Sequence, residues 1–115
     1  MTVTRTELSA RMSQTVVHGD TIYLAGQIGE GADVAAQTTD MLAHVDRLLA
    51  NAGSNKSLIL SATIWMADMA QVDEMNTVWD AWIDPANPPA RACVESRLVT
   101  PDFLVEVMIT AAKAP

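Results

Sequence analysis

Among the residues that could do chemistry, Arg91 has the most constrained setting. It stands in Pro88-Pro89-Ala90-Arg91-Ala92-Cys93-Val94-Glu95, where two prolines stiffen the approach to a β-rich run. In an extended strand Arg91, Cys93, Glu95 and Arg97 share one face, and Ala92, Val94 and Ser96 the other. A guanidinium held by its backbone at the head of such a strand offers a planar fork suited to bidentate recognition of a carboxylate. A structural salt bridge is the competing assignment for the same side chain. Cys93 could serve as a nucleophile only with a depressed pKa, and no flanking residue obviously lowers it; a small buried hydrophobe is the simpler role.

Other chemistries lack their residues. His18 and His44 are far apart and belong to no HExxH or Cys/His pattern, so no metal site is expected. There is no Walker A loop, no GxGxxG and no GxSxG turn for a serine hydrolase. Gly26, Gly29 and Gly31 come near a glycine-rich spacing, which a hairpin exit followed by a loop explains more simply. Fourteen acidic residues against seven basic ones leave a formal charge of −7, and no Lys/Arg cluster could follow a phosphate backbone. Nucleic acid is therefore not an expected partner. Neither a signal-type apolar core nor a run approaching the roughly 20 apolar residues of a membrane span occurs, so a soluble, cytoplasmic chain with no membrane partner is expected. The single cysteine excludes an internal disulfide and fits a reducing compartment.

The elements that must position Arg91 follow from periodicity. Gln14–His18 and Thr21–Gln27 read as a hairpin about Gly19-Asp20, preceded by a strand near Thr2–Glu7. Asp33 can cap a helix running to about Ala52, with Gly53 as its left-handed stop and Val34, Met41, Val45, Leu48 and Leu49 as its apolar stripe. Ile59–Met66 looks buried on both faces, which suits a central strand. A second helix is predicted from Val72 to Ile83, with Met75, Val78, Trp79, Trp82 and Ile83 on one side; the tryptophans, Trp65 included, read as packing residues. Arg91–Leu98 and Phe103–Thr110 read as the last two strands, parted by Thr100-Pro101-Asp102. This order makes an α+β domain spanning residues 1–115, a mixed six-stranded sheet with both helices on one face. The other face needs a cover, and another copy of the chain is the obvious one.

Several short segments, in this order, resemble the YjgF/RidA family, also labelled endoribonuclease L-PSP. They are AGQIG at Ala25–Gly29, DVAAQT at Asp33–Thr38, LLANAGS at Leu48–Ser54, MNTVWDAW at Met75–Trp82, PPARACVESRL at Pro88–Leu98 and LVEV at Leu104–Val107. The resemblance implies a chorismate-mutase-like fold and a homotrimer with a ligand cleft between adjacent subunits. It implies hydrolysis of reactive 2-imino acids, or their enamine tautomers, to 2-keto acids and ammonia, with no cofactor. It further implies that Arg91 binds the substrate carboxylate and that Glu106, fifteen residues on, positions the attacking water. Gly26, Cys93 and Asn76 then line the ligand site. A carboxylate at 106 could instead simply pair with Arg91 as a structural ion pair. Two positions depart from the active deaminases: Met12 replaces a tyrosine and Ala25 a serine. Their loss points to the competing function, a non-catalytic protein that binds a small carboxylic acid in the same cleft.

Overall fold

In the computed structural model, which describes residues 1–115, the strands are β1 (Val3–Leu8), β2 (Ser13–His18), β3 (Thr21–Leu24), β4 (Ile59–Met66), β5 (Ala90–Glu95) and β6 (Val105–Ala112). The helices are α1 (Val34–Asn51), between β3 and β4, and α2 (Val72–Trp82), between β4 and β5. Helix α1 forms where its caps and its stripe agree. The Asp33 carboxylate accepts from the Ala36 N–H at 2.8 Å, and Glu74 of α2 accepts from the Ala35 N–H at 2.8 Å, so two of the orphan donors at the N-terminus are satisfied. Val34, Met41, Val45, Leu48 and Leu49 are all buried. Gly53, at φ +80°, then turns the chain out of the helix, a conformation that a side chain would strain.

The sheet runs β1-β2-β3-β6-β4-β5, antiparallel throughout except for the parallel pair β4 and β5. Alternation assigns its two faces. Ile22, Leu24, Ala62, Ile64, Met66, Val105, Val107, Ile109 and Ala111 face the helices and meet the α1 stripe with Met75 and Trp79 of α2 in one core. Each such side chain contributes roughly 1.5–3 kcal/mol by leaving water. Gln37 is the polar member of this layer: its amide donates to the Gly31 and Asp102 carbonyls and accepts from the Leu104 N–H at 2.8 Å.

The opposite face carries Tyr23, Trp65, Val94, Glu106 and Met108, and no element of the chain crosses it. Tyr23, Val94 and Met108 remain 45, 45 and 46 % exposed. Strand β4 is central, as expected, but only its helix-facing side is sealed within one chain.

Three strand limits fall two or more residues inside the expected ones, and β6 runs on to Ala112 rather than Thr110. Strand β3 ends at Leu24 rather than Gln27, because Gln27 leaves β2 and pairs with Val107 of β6 through two backbone hydrogen bonds. Strand β5 stops at Glu95 instead of Leu98, since its only neighbour, β4, ends at Met66. Strand β6 begins at Val105 rather than Phe103, because the Leu104 N–H is already taken by Gln37. No helix is long and apolar enough to cross a membrane.

Candidate functional site

The loop into β5 is fastened before Arg91 is reached. The Asp84 carboxylate accepts from the Asn87 side chain at 2.9 Å, from the Ser57 hydroxyl at 2.8 Å and from the Ala86 N–H at 2.9 Å. These three donors, the Asn87 amide foremost, hold the Asp84 carboxyl below its usual range. Strand β5 then pairs in parallel with β4 over Ala90–Glu95, which leaves it as the edge of the sheet, and Arg91 lies opposite Ala62.

Arg91 turns toward α2. Its Nη1 donates to Asn76 Oδ1 at 2.8 Å, and its guanidinium carbon lies 5.3 Å from the centroid of the Trp79 ring. Asn76 and Trp79 are three residues apart, so both reach the same side of the helix. No carboxylate lies within ion-pair distance of Arg91; Arg47 pairs with Glu7, and His44 Nε2 lies 3.4 Å from Asp40. The fork is thus oriented by a neutral amide and a ring, and its charge is not cancelled. Cys93, two residues on, packs partly against the core. Burial pushes its thiol up, and the Arg91 charge only partly offsets that, so it is protonated at neutral pH. Glu95 accepts from the Met69 N–H at 3.0 Å and locks the far end of β5 to the turn that opens α2.

Glu106 belongs to a different surface. It lies opposite Trp65, whereas Arg91 lies opposite Ala62, so the two side chains project from opposite faces of the sheet with β4 between their strands. The alternative of a structural Arg91–Glu106 ion pair is therefore excluded within one chain. The Glu106 carboxylate rests against Gly26, where an added Cβ would collide with its Oε2. Burial pushes the Glu106 carboxyl above its ordinary value. Gly26 also lines a cleft of about 430 Å3 with Met12, Gln14, Gln27, His44 and Arg47. The Gln27 amide donates to Gln14 Oε1 at 2.8 Å and to the Ala25 carbonyl at 3.0 Å, bracing the cleft floor. The predicted site residues accordingly fall in two separate groups: Arg91, Asn76 and Cys93 at the β5 edge, and Gly26 and Glu106, with Met12 nearby, at the exit of β3.

The family model described as endoribonuclease L-PSP matches residues 3–113. The chain belongs to this family. A RutC family protein of Haemophilus influenzae is 43 % identical over 114 residues, covering 96 % of this chain and 98 % of that protein. The crystal structure of NMB1025, a YjgF family member from Neisseria meningitidis, superposes with a TM-score of 0.98 at 43 % identity, covering 100 % of this chain and 98 % of that one. The six-stranded sheet with two helices is thus the α+β, chorismate-mutase-like fold expected from the motifs. A more distant relative, the 3-aminoacrylate deaminase RutC of Acinetobacter baylyi, is 35 % identical over 79 residues, covering 69 % of this chain and 62 % of that protein.

Three participants, Trp79, Glu7 and Arg47, carry no site signal of their own in the sequence. Trp79 reads as a packing residue, and only its spacing from Asn76 signals that both face Arg91. Glu7, in a left-handed conformation at φ +52°, pairs with Arg47 at 2.9 Å and ties the end of β1 to α1 beside the Gly26 cleft. Forty positions separate these partners, and no local pattern links them.

Proposed function

We propose that this protein hydrolyses reactive 2-imino acids, or their enamine tautomers, to 2-keto acids and ammonia in clefts between the subunits of a homotrimer. The observation that carries this reading is Arg91: an oriented guanidinium at an open sheet edge, with no carboxylate of its own. Such a group suits a ligand that supplies the carboxylate. The separation of the two groups supports the subunit cleft, because only a second copy can bring an Arg91 edge to the Gly26–Glu106 pair. The exposed apolar side chains Tyr23, Val94 and Met108 support burial of the same face on assembly. The 3-aminoacrylate deaminase of Acinetobacter baylyi supports a related substrate class.

In this mechanism Arg91 of one subunit holds the carboxylate, and backbone groups near Gly26 and Cys93 fix the nitrogen. An imine protonated on nitrogen is electrophilic at C2 without a cofactor. Glu106 of the neighbouring subunit orients a water and takes its proton as the C2–O bond forms, and its upward-shifted pKa brings it nearer the working pH. Glu106 returns that proton to the carbinolamine nitrogen, and the C2–N bond then breaks to release ammonia as the C2 hydroxyl gives its proton to Glu106 and the carbonyl forms. Despite the family's description, ribonuclease action is not favoured: the chain carries −7 and offers few cations to replace phosphate counterions.

One observation favours the second reading, a non-catalytic carboxylate binder. Met12 lines the cleft beside Gly26, so a thioether stands where the active deaminases carry a phenol. A coupled assay with freshly generated 2-iminopropanoate separates the two. Accelerated ammonia release, lost in Arg91→Ala, is expected; a folded trimer that releases ammonia no faster than buffer would sink the deaminase reading.

A further inference from the structure

The proposal rests on the reading of Arg91 as the carboxylate anchor and concerns what aims it. A free arginine side chain samples many rotamers, so presenting its fork in one orientation carries an entropic cost at each binding event unless the protein has settled it beforehand. Two groups of α2 meet this guanidinium. Asn76 Oδ1 accepts from Nη1 at 2.8 Å, and the Trp79 ring lies 5.3 Å from the guanidinium carbon. Arg91 makes no other side-chain hydrogen bond in the chain, which leaves its Nε and Nη2 donors free for a carboxylate.

Trp79 is itself fixed. It is only 4 % exposed, its ring lies 5.4 Å from that of Trp82, and the Trp82 Nε1–H donates to Asp46 Oδ2 of α1 at 2.9 Å. The brace therefore runs from α1 through Trp82 and Trp79 to Arg91. Indole is the strongest of the aromatic partners for a guanidinium, and here it is too buried to serve as a general ligand surface.

We infer that Trp79 is a positioning residue, which with Asn76 stacks and aims the Arg91 guanidinium so that its free edge meets the substrate carboxylate already oriented. The inference gives Trp79 a role beyond core packing, and it assigns the Asn76 carbonyl to Arg91 before any ligand arrives. Weakening the stack lowers the fraction of time the fork is presented, and the apparent affinity falls by that fraction.

The test measures pyruvate binding to the full-length protein by titration calorimetry. Trp79→Phe, which retains a ring face, is expected to stay within about threefold of the parent, and Trp79→Leu to bind about tenfold more weakly. Circular dichroism and mass in solution check the fold of each variant. Because Leu at a buried position could fail to fold, site-specific difluorotryptophan at position 79 serves as the second variant; it keeps the shape and withdraws π density, and an affinity loss of about two- to fourfold is expected. Parent-like affinity in Trp79→difluorotryptophan, with binding lost in Arg91→Ala, would overturn the positioning role and leave the anchor standing. Parent-like affinity in Arg91→Ala would overturn both.

Discussion

Burial shifts the titration of Glu106 and of Cys93, and both effects can be measured. Burial raises the Glu106 pKa, so the folded chain binds its proton more tightly than the unfolded chain does. The associated stability is fully present below the unfolded-state pKa and is lost as pH rises through the elevated folded-state value. At neutral pH the ionised group is therefore a net cost to folding. Glu106→Gln is expected to melt above the parent at pH 7, with the gap closing toward pH 4, as scanning calorimetry would show; a gap independent of pH would contradict this assignment. If Glu106 also moves the proton of the attacking water, the same variant loses about 10²-fold or more in rate while still binding pyruvate. Cys93 differs, because burial keeps its thiol protonated despite the nearby Arg91 charge. Cys93→Ser is expected to retain deamination within about threefold, and iodoacetamide at pH 7.5 to label Cys93 more slowly than free cysteine. Faster labelling, together with inactivation, would instead mark a nucleophile.

At the level of elements, the role proposed for Arg91 depends on the loop before it. Asp84 gathers Asn87, Ser57 and Ala86 around one carboxylate, and this knot fixes where β5 begins. Its lowered pKa means that the contribution to stability is present above the unfolded value and is lost as pH falls through the folded one. Asp84→Ala is expected to weaken pyruvate binding more than it lowers the melting temperature, since the exposed loop orders Arg91 rather than the core; parent-like affinity would show that the prolines alone suffice. The helices were legible in the sequence because their signals are local: Asp33 caps, Gly53 stops, and the stripe between them has helical period. Strand limits were not, because a ladder ends where its neighbour ends. Nothing in residues 96–98 reveals that β4 runs out at Met66, and nothing near Phe103 reveals that Gln37 claims the Leu104 N–H. For the site, prolines and alternation were enough to single out Arg91. Glu106 came only through family resemblance, because a lone carboxylate on a strand carries no local mark. Its separation from Arg91 depends on β4 being threaded between β5 and β6, a feature of sheet order and not of spacing.

At the scale of the whole molecule, that separation makes the assembly itself testable. Arg91 and Glu106 of one chain stand on opposite faces of its sheet, so neither can serve the other. In the proposed homotrimer, a closed ring with head-to-tail interfaces, each cleft would pair Arg91 of one subunit with Glu106 of the next. Arg91→Ala and Glu106→Gln homotrimers should then both be inactive, for different reasons. Unfolding and refolding the two variants together in equal amounts gives mixed rings, in which a cleft works only when a Glu106→Gln subunit supplies Arg91 and an Arg91→Ala subunit supplies Glu106. Random mixing makes that arrangement at about one cleft in four, so about a quarter of the parental activity should return. If both residues acted from the same chain, no mixture would recover any. Met108→Lys, which puts a charge on the exposed sheet face, should reduce the mass in solution from trimer to monomer and remove activity without changing Arg91 or Glu106. Persistence of the trimer would show that the face is not the interface. Dispersal of the trimer with activity intact would show that a single chain is sufficient, which the opposed faces of Arg91 and Glu106 argue against.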